Sequence, residues 1–499
     1  MQKSYAQILK ASALIGGSSL VVVAIGIVRT KIMALLLGTA GFGLMGVYSS
    51  IVDLAVAIAG LGINSSGVRQ IAEATCSGDE QRIARTATVL RRTAVVFGVI
   101  GGGALALLSR QVSVFTFGDE KHAWAIVLLS LAVAFRLIAG GQGALIQGMR
   151  RIGDLAKLGM LGALLGTVAS IPIVYALGTE GIAPSLVCFA IVSMLTSWLY
   201  ARRVAIDRPA LTLPEVRSEA SVLVKIGLAF MASAFLTMAA AYGVRMLLVR
   251  QVGLEAAGLY SAAWTLGGLY VNFVLQAMGA DFYPRLIGVA NDDAACNRLT
   301  NEQAQVSMLA ATPGVCATVV FAPFVIALFY SAQFTAAVET LRWVCLGVAL
   351  RVITWPMGFI IVAKGRQWLF LFADCSWAVI NIALTWLAVQ KFGVEGAGIA
   401  FFISYFCHGL IVYPIVHVLS GFRLSIMSLR IGTFFLVTTA TAFATNVLLP
   451  APWAVTLGIA IILGSGVYSA HTLVVSLAEE GLSARVQKLL EWLRIRRWY

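Results

Sequence analysis

Apolar residues run through this chain in blocks of about twenty, parted by short polar links, without the alternation of half-buried strands. About 20 mostly apolar residues are needed for a helix to cross a bilayer. Such blocks lie at 8–36, 42–63, 93–108, 123–147, 158–177, 182–199, 226–249, 257–278, 306–329, 337–362, 368–389, 397–419, 431–449 and 453–477. They predict an all-α integral membrane protein with about fourteen transmembrane helices. The first block is too long for a secretory signal and has no convincing cleavage site, so it is expected to stay. Pro313 and Pro323 are expected to interrupt the ninth block, and Gly98 to Gly103 to loosen the third.

Composition agrees. Of 499 residues, 60% are apolar and 12% charged, against about 25% charged in soluble domains, which excludes an ordinary soluble enzyme. The formal charge of +14 would suit nucleic acid, but its placement points elsewhere. Arg69, Arg82, Arg85, Arg91 and Arg92 follow the second block, Arg150 and Arg151 the fourth, and Arg202, Arg203, Arg208 and Arg217 the sixth. Lys364 and Arg366 follow the tenth, Arg423 and Arg430 the twelfth; the intervening links are nearly free of Lys or Arg, with Lys121 and Lys391 the main exceptions. This is the positive-inside pattern, and it places both termini in the cytoplasm. The seven cysteines are isolated, with neither disulfide nor metal-ligand spacing. No phosphate-binding glycine loop, no H-E-x-x-H and no paired-cysteine motif occurs, and the four histidines are scattered. No catalytic residue, metal or cofactor is expected.

Sliding the chain against itself by 215 positions exposes a repeat. Gly38 and Gly43 fall on Gly253 and Gly258; Gly178, Glu180 and Gly181 fall on Gly393, Glu395 and Gly396. In the fourth block Leu131, Val133, Ala134, Arg136, Ile138, Gly143 and Ile146 fall on Leu346, Val348, Ala349, Arg351, Ile353, Gly358 and Ile361, where composition alone gives roughly one or two matches. Arg151 falls on Arg366. The expected organisation is two pseudo-symmetric six-helix bundles, 1–208 and 209–425, two additional helices over 426–477, and a basic tail over 478–499. Repeats of this kind put a ligand site between the halves near the midplane. In the tail Leu482, Val486, Leu489 and Leu493 share a face among Arg485, Lys488, Arg494, Arg496 and Arg497, suiting either the anionic inner leaflet or a solvated helix end.

Charges inside the blocks carry the functional reading, because each costs about 2.5 to 3.5 kcal/mol at the bilayer centre. Arg136 and Arg351 lie mid-block and are repeat-equivalent. Arg29 and Lys31 lie in the outer third of the first block, with Arg245 and Arg250 in nearly the same place in the seventh. These four could instead snorkel to the surface, as Arg342 is expected to do. Asp53 is mid-block in the second and Asp374 nearer the inner end of the eleventh. Asp53 suits either an arginine partner or an ion-coupling acid, and Asp374 is a second ion-coupling candidate. Bases outnumber acids, so the cavity should attract an anion; the arginine fork fits phosphate, and a diphosphate engages several forks at once.

The segments 145–154 (Leu-Ile-Gln-Gly-Met-Arg-Arg-Ile-Gly-Asp), 71–79 (Ile-Ala-Glu-Ala-Thr-Cys-Ser-Gly-Asp) and 281–285 (Asp-Phe-Tyr-Pro-Arg) resemble recurring features of polysaccharide flippases. Over roughly residues 1–420 the chain resembles O-antigen or polysaccharide translocases of the multidrug/oligosaccharidyl-lipid/polysaccharide exporter superfamily. The resemblance implies a flippase carrying a polyprenyl-diphosphate-linked oligosaccharide from the inner to the outer leaflet of the bacterial inner membrane by alternating access. It would serve O-antigen, lipopolysaccharide or related polysaccharide biosynthesis, with membrane lipids and the polysaccharide polymerase machinery as partners and no nucleic acid. It carries a cationic cavity onto Arg29, Arg136, Arg245 and Arg351, with Lys31 and Arg250 beside them. An ion-coupled multidrug exporter of the same superfamily, which should favour cavity acids, and a major-facilitator-type carrier are the alternatives.

Overall fold

In the computed structural model residues 2–204 and 209–479 are described, and among them every regular element is a helix. The order is α1 (Gln2–Gly60), α2 (Ile63–Ser77), α3 (Glu80–Leu107), α4 (Ser109–Phe117), α5 (Ala123–Gly148), α6 (Ile152–Leu177), α7 (Ile182–Ala201) and α8 (Leu213–Gln251). It continues with α9 (Leu254–Gly288), α10 (Asp293–Val320), α11 (Ala322–Phe329), α12 (Ala337–Ala363), α13 (Gln367–Phe392), α14 (Val394–Ser420), α15 (Ile426–Leu448) and α16 (Ala451–Glu479). Among the described residues ten stretches are long and apolar enough to cross a membrane, or up to eleven if the bent α10–α11 pair is one span. Two of the ten, Gly17–Gly60 and Ile152–Ala201, each enclose a break: Gly38, whose backbone leaves the helical region, and the 3-10 turn Gly178–Gly181. Exposed Trp124, Tyr175, Trp368 and Trp453 stand at helix ends, as aromatic side chains do at a membrane interface.

The repeat is visible in the backbone. Gly178 ends α6 at φ 59°, ψ −132°, and Gly393 ends α13 at φ 57°, ψ −138°. After α5, Arg150 takes a left-handed φ of 54° and the Arg151 amide donates to the Ile146 carbonyl. After α12, Gly365 takes φ 70° and the Arg366 amide donates to Ile361. The flippase-like segment around Arg150 is therefore first of all a turn, tied further by Arg151 to Asp154 at 2.9 Å and to the Arg203 carbonyl at 3.1 Å.

Packing divides the chain later than the repeat does. One compact unit runs to Gly258 and takes back Phe329–Gln333; the other holds Leu259–Leu328 and the chain from Phe334. The repeat boundary at 208/209 thus leaves α8, the opening helix of the second repeat, inside the first unit. The reason is close backbone packing. A β-carbon on Gly227 of α8 would lie 2.3 Å from the Leu61 carbonyl oxygen, and one on Gly258 would lie 2.0 Å from that of Thr39. Tyr242 of α8 also shares a 2.6 Å hydrogen bond with Thr116 of α4. In the same unit the amphipathic α2 covers α3, α5 and α8 with Ile63 and Ile71, meeting Leu90, Leu145 and Leu223.

In the second unit α12 is the central helix. The most apolar stretch of this helix is 61% buried, against 22% for that of α13. The additional helices α15 and α16 pack on α10. Asn301 of α10 donates to the Arg423 carbonyl and accepts from Ser425 N and Ser428 Oγ. Arg342 departs from the snorkelling expectation. It is 6% exposed and bonds Glu339 at 2.5 Å, Asn446 of α15 at 3.0 Å and the Val319 carbonyl at 3.4 Å. Glu339 comes from the first turn of its own helix, and Asn446 and the Val319 carbonyl come from α15 and α10. Pro313 leaves α10 continuous; the 81° bend comes at Phe321, just before Pro323. Gly98 and Gly102 do not loosen α3, for their missing side chains let α5 approach at Ala134 and Ser130. The basic tail from 480 onward lies outside the described residues.

Candidate functional site

The kink at Gly38 breaks α1 into two stretches that line one cavity inside the first unit. It measures about 430 Å³ and is lined by Arg29 from the first stretch, Ser49, Val52 and Asp53 from the second, Ala132 and Arg136 from α5, and Leu186, Phe189, Ala190 and Ser193 from α7. Arg136 Nη1 donates to Asp53 Oδ1 at 2.6 Å, with 42% and 36% of the two side chains exposed. The pair is open to the cavity and keeps part of its hydration, so the bridge itself adds only about 1 kcal/mol or less to stability. Arg29 sits differently. Its guanidinium carbon lies 4.3 Å from the centroid of the Phe189 ring, and its buried Nε has no hydrogen-bond partner among the described residues. An unsatisfied buried donor costs about 1 to 3 kcal/mol, a deficit that an incoming acceptor would relieve. Two guanidiniums against one carboxylate leave the cavity one positive charge in surplus, with Ser49 and Ser193 as neutral donors beside them.

In the second unit the repeat-equivalent Arg351 meets no carboxylate within ion-pairing distance among the described residues; its Nη1 donates to Asn272 Oδ1 at 3.2 Å. The position equivalent to Asp53 is Gly268, and Asn272 lies one helical turn further along α9. An amide accepts the hydrogen bond without cancelling charge, so Arg351 keeps its field.

The other sequence candidates fall elsewhere. Arg245 is half-buried on α8, with Nη1 donating to the Ala241 carbonyl of its own helix at 3.1 Å. Arg250 is exposed and its Nε donates to the Phe115 carbonyl at 3.3 Å, the place where a cation complements the C-terminal end of α4. Lys31 is half-buried on α1 and Asp374 half-buried on α13, and neither lines the 430 Å³ cavity. Sequence reading missed Phe189 and Asn272. A lone Phe among 25 carries no signal, but Asn272 could have been found as a polar residue one turn past the equivalent of Asp53. Among the described residues no group of three His, Cys, Asp or Glu side chains could hold a metal.

A multi-pass helical membrane protein, internally repeated and with a cationic interior cavity, is the class that fold and site define. The family described as polysaccharide biosynthesis protein matches residues 32–339, and the chain belongs to it. The lipid III flippase of Escherichia coli (strain K12) is 24% identical over 421 residues, which cover 79% of this chain and 95% of that protein. Of solved structures, the lipid II flippase MurJ in an inward closed conformation superposes with a TM-score of 0.66 at 13% identity, over 93% of this chain and 99% of that one. An inward-facing multidrug resistance MATE family transporter of the MOP superfamily gives 0.65 at 16% identity, over 80% and 95%. The chain shares the fold of these two transporters.

Proposed function

We propose that this protein is a flippase carrying a polyprenyl-diphosphate-linked oligosaccharide, an O-antigen or related polysaccharide repeat unit, from the inner to the outer leaflet of the bacterial inner membrane. The observation that carries the reading is the pair Arg29 and Arg136 in one cavity with a net positive charge. Arg29 offers an unsatisfied Nε, Arg136 a fork occupied at a single atom, and Arg351 of the second unit a cation hydrogen-bonded to a neutral amide. Each can form charge-assisted bonds to phosphate oxygens, which are stronger than neutral ones. The family, and the names of relatives that move lipid-linked precursors, support the same class of cargo.

Alternating access exposes the bound headgroup to one leaflet and then the other, with no covalent step and no cofactor. An inside-negative potential favours outward movement of an anion by about 2.3 kcal/mol per charge per 100 mV. Lys31, Arg245 and Arg250 are weaker members of the proposed binding set, while Asp53 and Asp374 are its acids available for ion coupling. The positive-inside pattern assigns both termini to the cytoplasm, and the polysaccharide polymerase machinery is a proposed partner. The multidrug exporter alternative draws support from an apolar chamber of about 540 Å³ in the first unit, lined by residues such as Ile51, Leu54, Phe97, Ile100 and Phe115. A lipophilic cation, however, would be repelled by Arg29 and Arg136. The test is complementation of a flippase-deficient strain: the wild type should restore surface polysaccharide, and Arg136→Ala and Arg351→Ala should not. Full restoration by both variants would remove the basis for the reading.

A further inference from the structure

In the first-unit cavity Arg136 holds an anion of the chain's own, Asp53. We infer that Asp53 is an internal stand-in for the phosphate, occupying the Arg136 subsite when the cavity is empty and yielding it when the diphosphate arrives. The inference rests on the proposed function and goes beyond it by assigning Asp53 the control of affinity and release.

Three observations support the exchange. The contact joins one guanidinium nitrogen to one carboxylate oxygen, not the parallel two-bond fork that arginine makes with a committed partner. Both side chains are more than a third exposed, on the wall of a 430 Å³ cavity, so an incoming anion can reach Arg136 without unpacking a helix. Arg29, across the same cavity wall from α5, has no carboxylate partner among the described residues and sits on Phe189 instead. Of the two guanidiniums on the cavity wall, one rests on an aromatic ring and the other is held by a tethered competitor. A phosphate carries more charge and more acceptor oxygens than a carboxylate, and a diphosphate can engage Arg29 and Arg136 together, which a single tethered Asp cannot. Once the cargo leaves, Asp53 returns to Arg136 at the high effective concentration of an intramolecular group and opposes rebinding. The device costs affinity and gains release, the balance a carrier needs.

The second unit provides a contrast within the same chain: Arg351 faces Asn272, so its subsite has no anionic competitor at that contact.

The experiment measures binding of inorganic diphosphate and of a prenyl-diphosphate oligosaccharide to the full chain in nanodiscs, and translocation in proteoliposomes, for wild type, Asp53→Asn and Asp53→Ser. A salt bridge closed about nine-tenths of the time lowers apparent affinity about ten-fold. Both variants should therefore bind both probes about ten-fold more tightly, yet translocate more slowly because release is delayed. A residue that merely supports the fold would lower binding and translocation together, and two chemically different substitutions guard against misfolding of either. Weaker or unchanged binding in the variants, with measurable binding in the wild type, overturns the stand-in role and leaves the cationic cavity in place. Failure of the wild type to bind either probe overturns the proposed function, and the stand-in role falls with it.

Discussion

Arg136 and Arg351 occupy the same position in the two repeats, yet one faces a carboxylate at 2.6 Å and the other an amide at 3.2 Å. The helices that supply the partners are also equivalent, and the difference arises from a shift of one helical turn, Asp53 against Asn272. Duplicated halves thus keep the costly intramembrane guanidinium and vary what balances it. The first unit tempers its positive charge and adds Arg29 beside it, whereas the second leaves Arg351 in contact with a neutral acceptor. The asymmetry extends to packing. Position 127, equivalent to Arg342, is a valine, because only the second unit has an α15 to be held by a buried arginine.

The largest effect should come from deleting the arginines. Arg351→Ala is expected to lower translocation at least about a hundred-fold, since charge-assisted bonds are worth about 1.5 to 3 kcal/mol each, with an unchanged melting temperature because Asn272 is neutral. Arg136→Ala should lose as much activity but also about 1 kcal/mol of stability, as Asp53 loses its ion-pair partner. Adding Asp53→Asn to Arg136→Ala should restore the melt and not the transport; equal melting of the two single variants would show that the Asp53 contact contributes nothing. Next, Arg342→Met should destabilise the second unit by about 1 to 2 kcal/mol, because Asn446 and the Val319 carbonyl lose a buried donor while Glu339, 44% exposed, is left to water. Thermal unfolding of the purified chain, read beside Val127→Ala in the first unit, checks whether the effect is specific to α12 and α15. Converting the second unit into the likeness of the first is subtler: Asn272→Asp should weaken diphosphate binding about ten-fold, and tighter binding would refute the proposed competition. The smallest effect involves His122, whose ring stacks on Phe117 at 4.0 Å and meets the Tyr48 hydroxyl at 2.8 Å. Burial holds its pKa below the ordinary 6.5, opposed by Asp119 and helped by Lys121. The neutral ring therefore adds stability that is complete above 6.5 and is lost as the pH falls from there through the lower folded value. His122→Gln should flatten the melting temperature between pH 7.5 and 5.5 by about one degree.

Hydropathy made the membrane class legible, because a bilayer imposes length and apolarity on every crossing helix. The 215-residue offset was legible too, and it led directly to Arg136 and Arg351. Side-chain partners were not legible, since they depend on rotation about helices that the repeat alone does not fix. Asp53 carried two readings, arginine partner and ion-coupling acid; its 2.6 Å contact with Arg136 shows the partner and does not bear on coupling. Arg342 was misplaced because its partner Asn446 lies on a helix outside the repeat, and no local pattern announces a contact across 104 residues. The later division at Gly258 was hidden for the same reason: repeat units are defined by sequence, compact units by where glycines let backbones touch.

Reconstituted translocation of a prenyl-diphosphate-linked oligosaccharide, with wild type and Arg136→Ala/Arg351→Ala protein compared in sealed proteoliposomes under an imposed inside-negative potential, tests the cationic-site account most directly. Rapid transfer by the wild type and transfer at the protein-free rate by the double variant is the predicted result. Equal transfer by both proteins would contradict it.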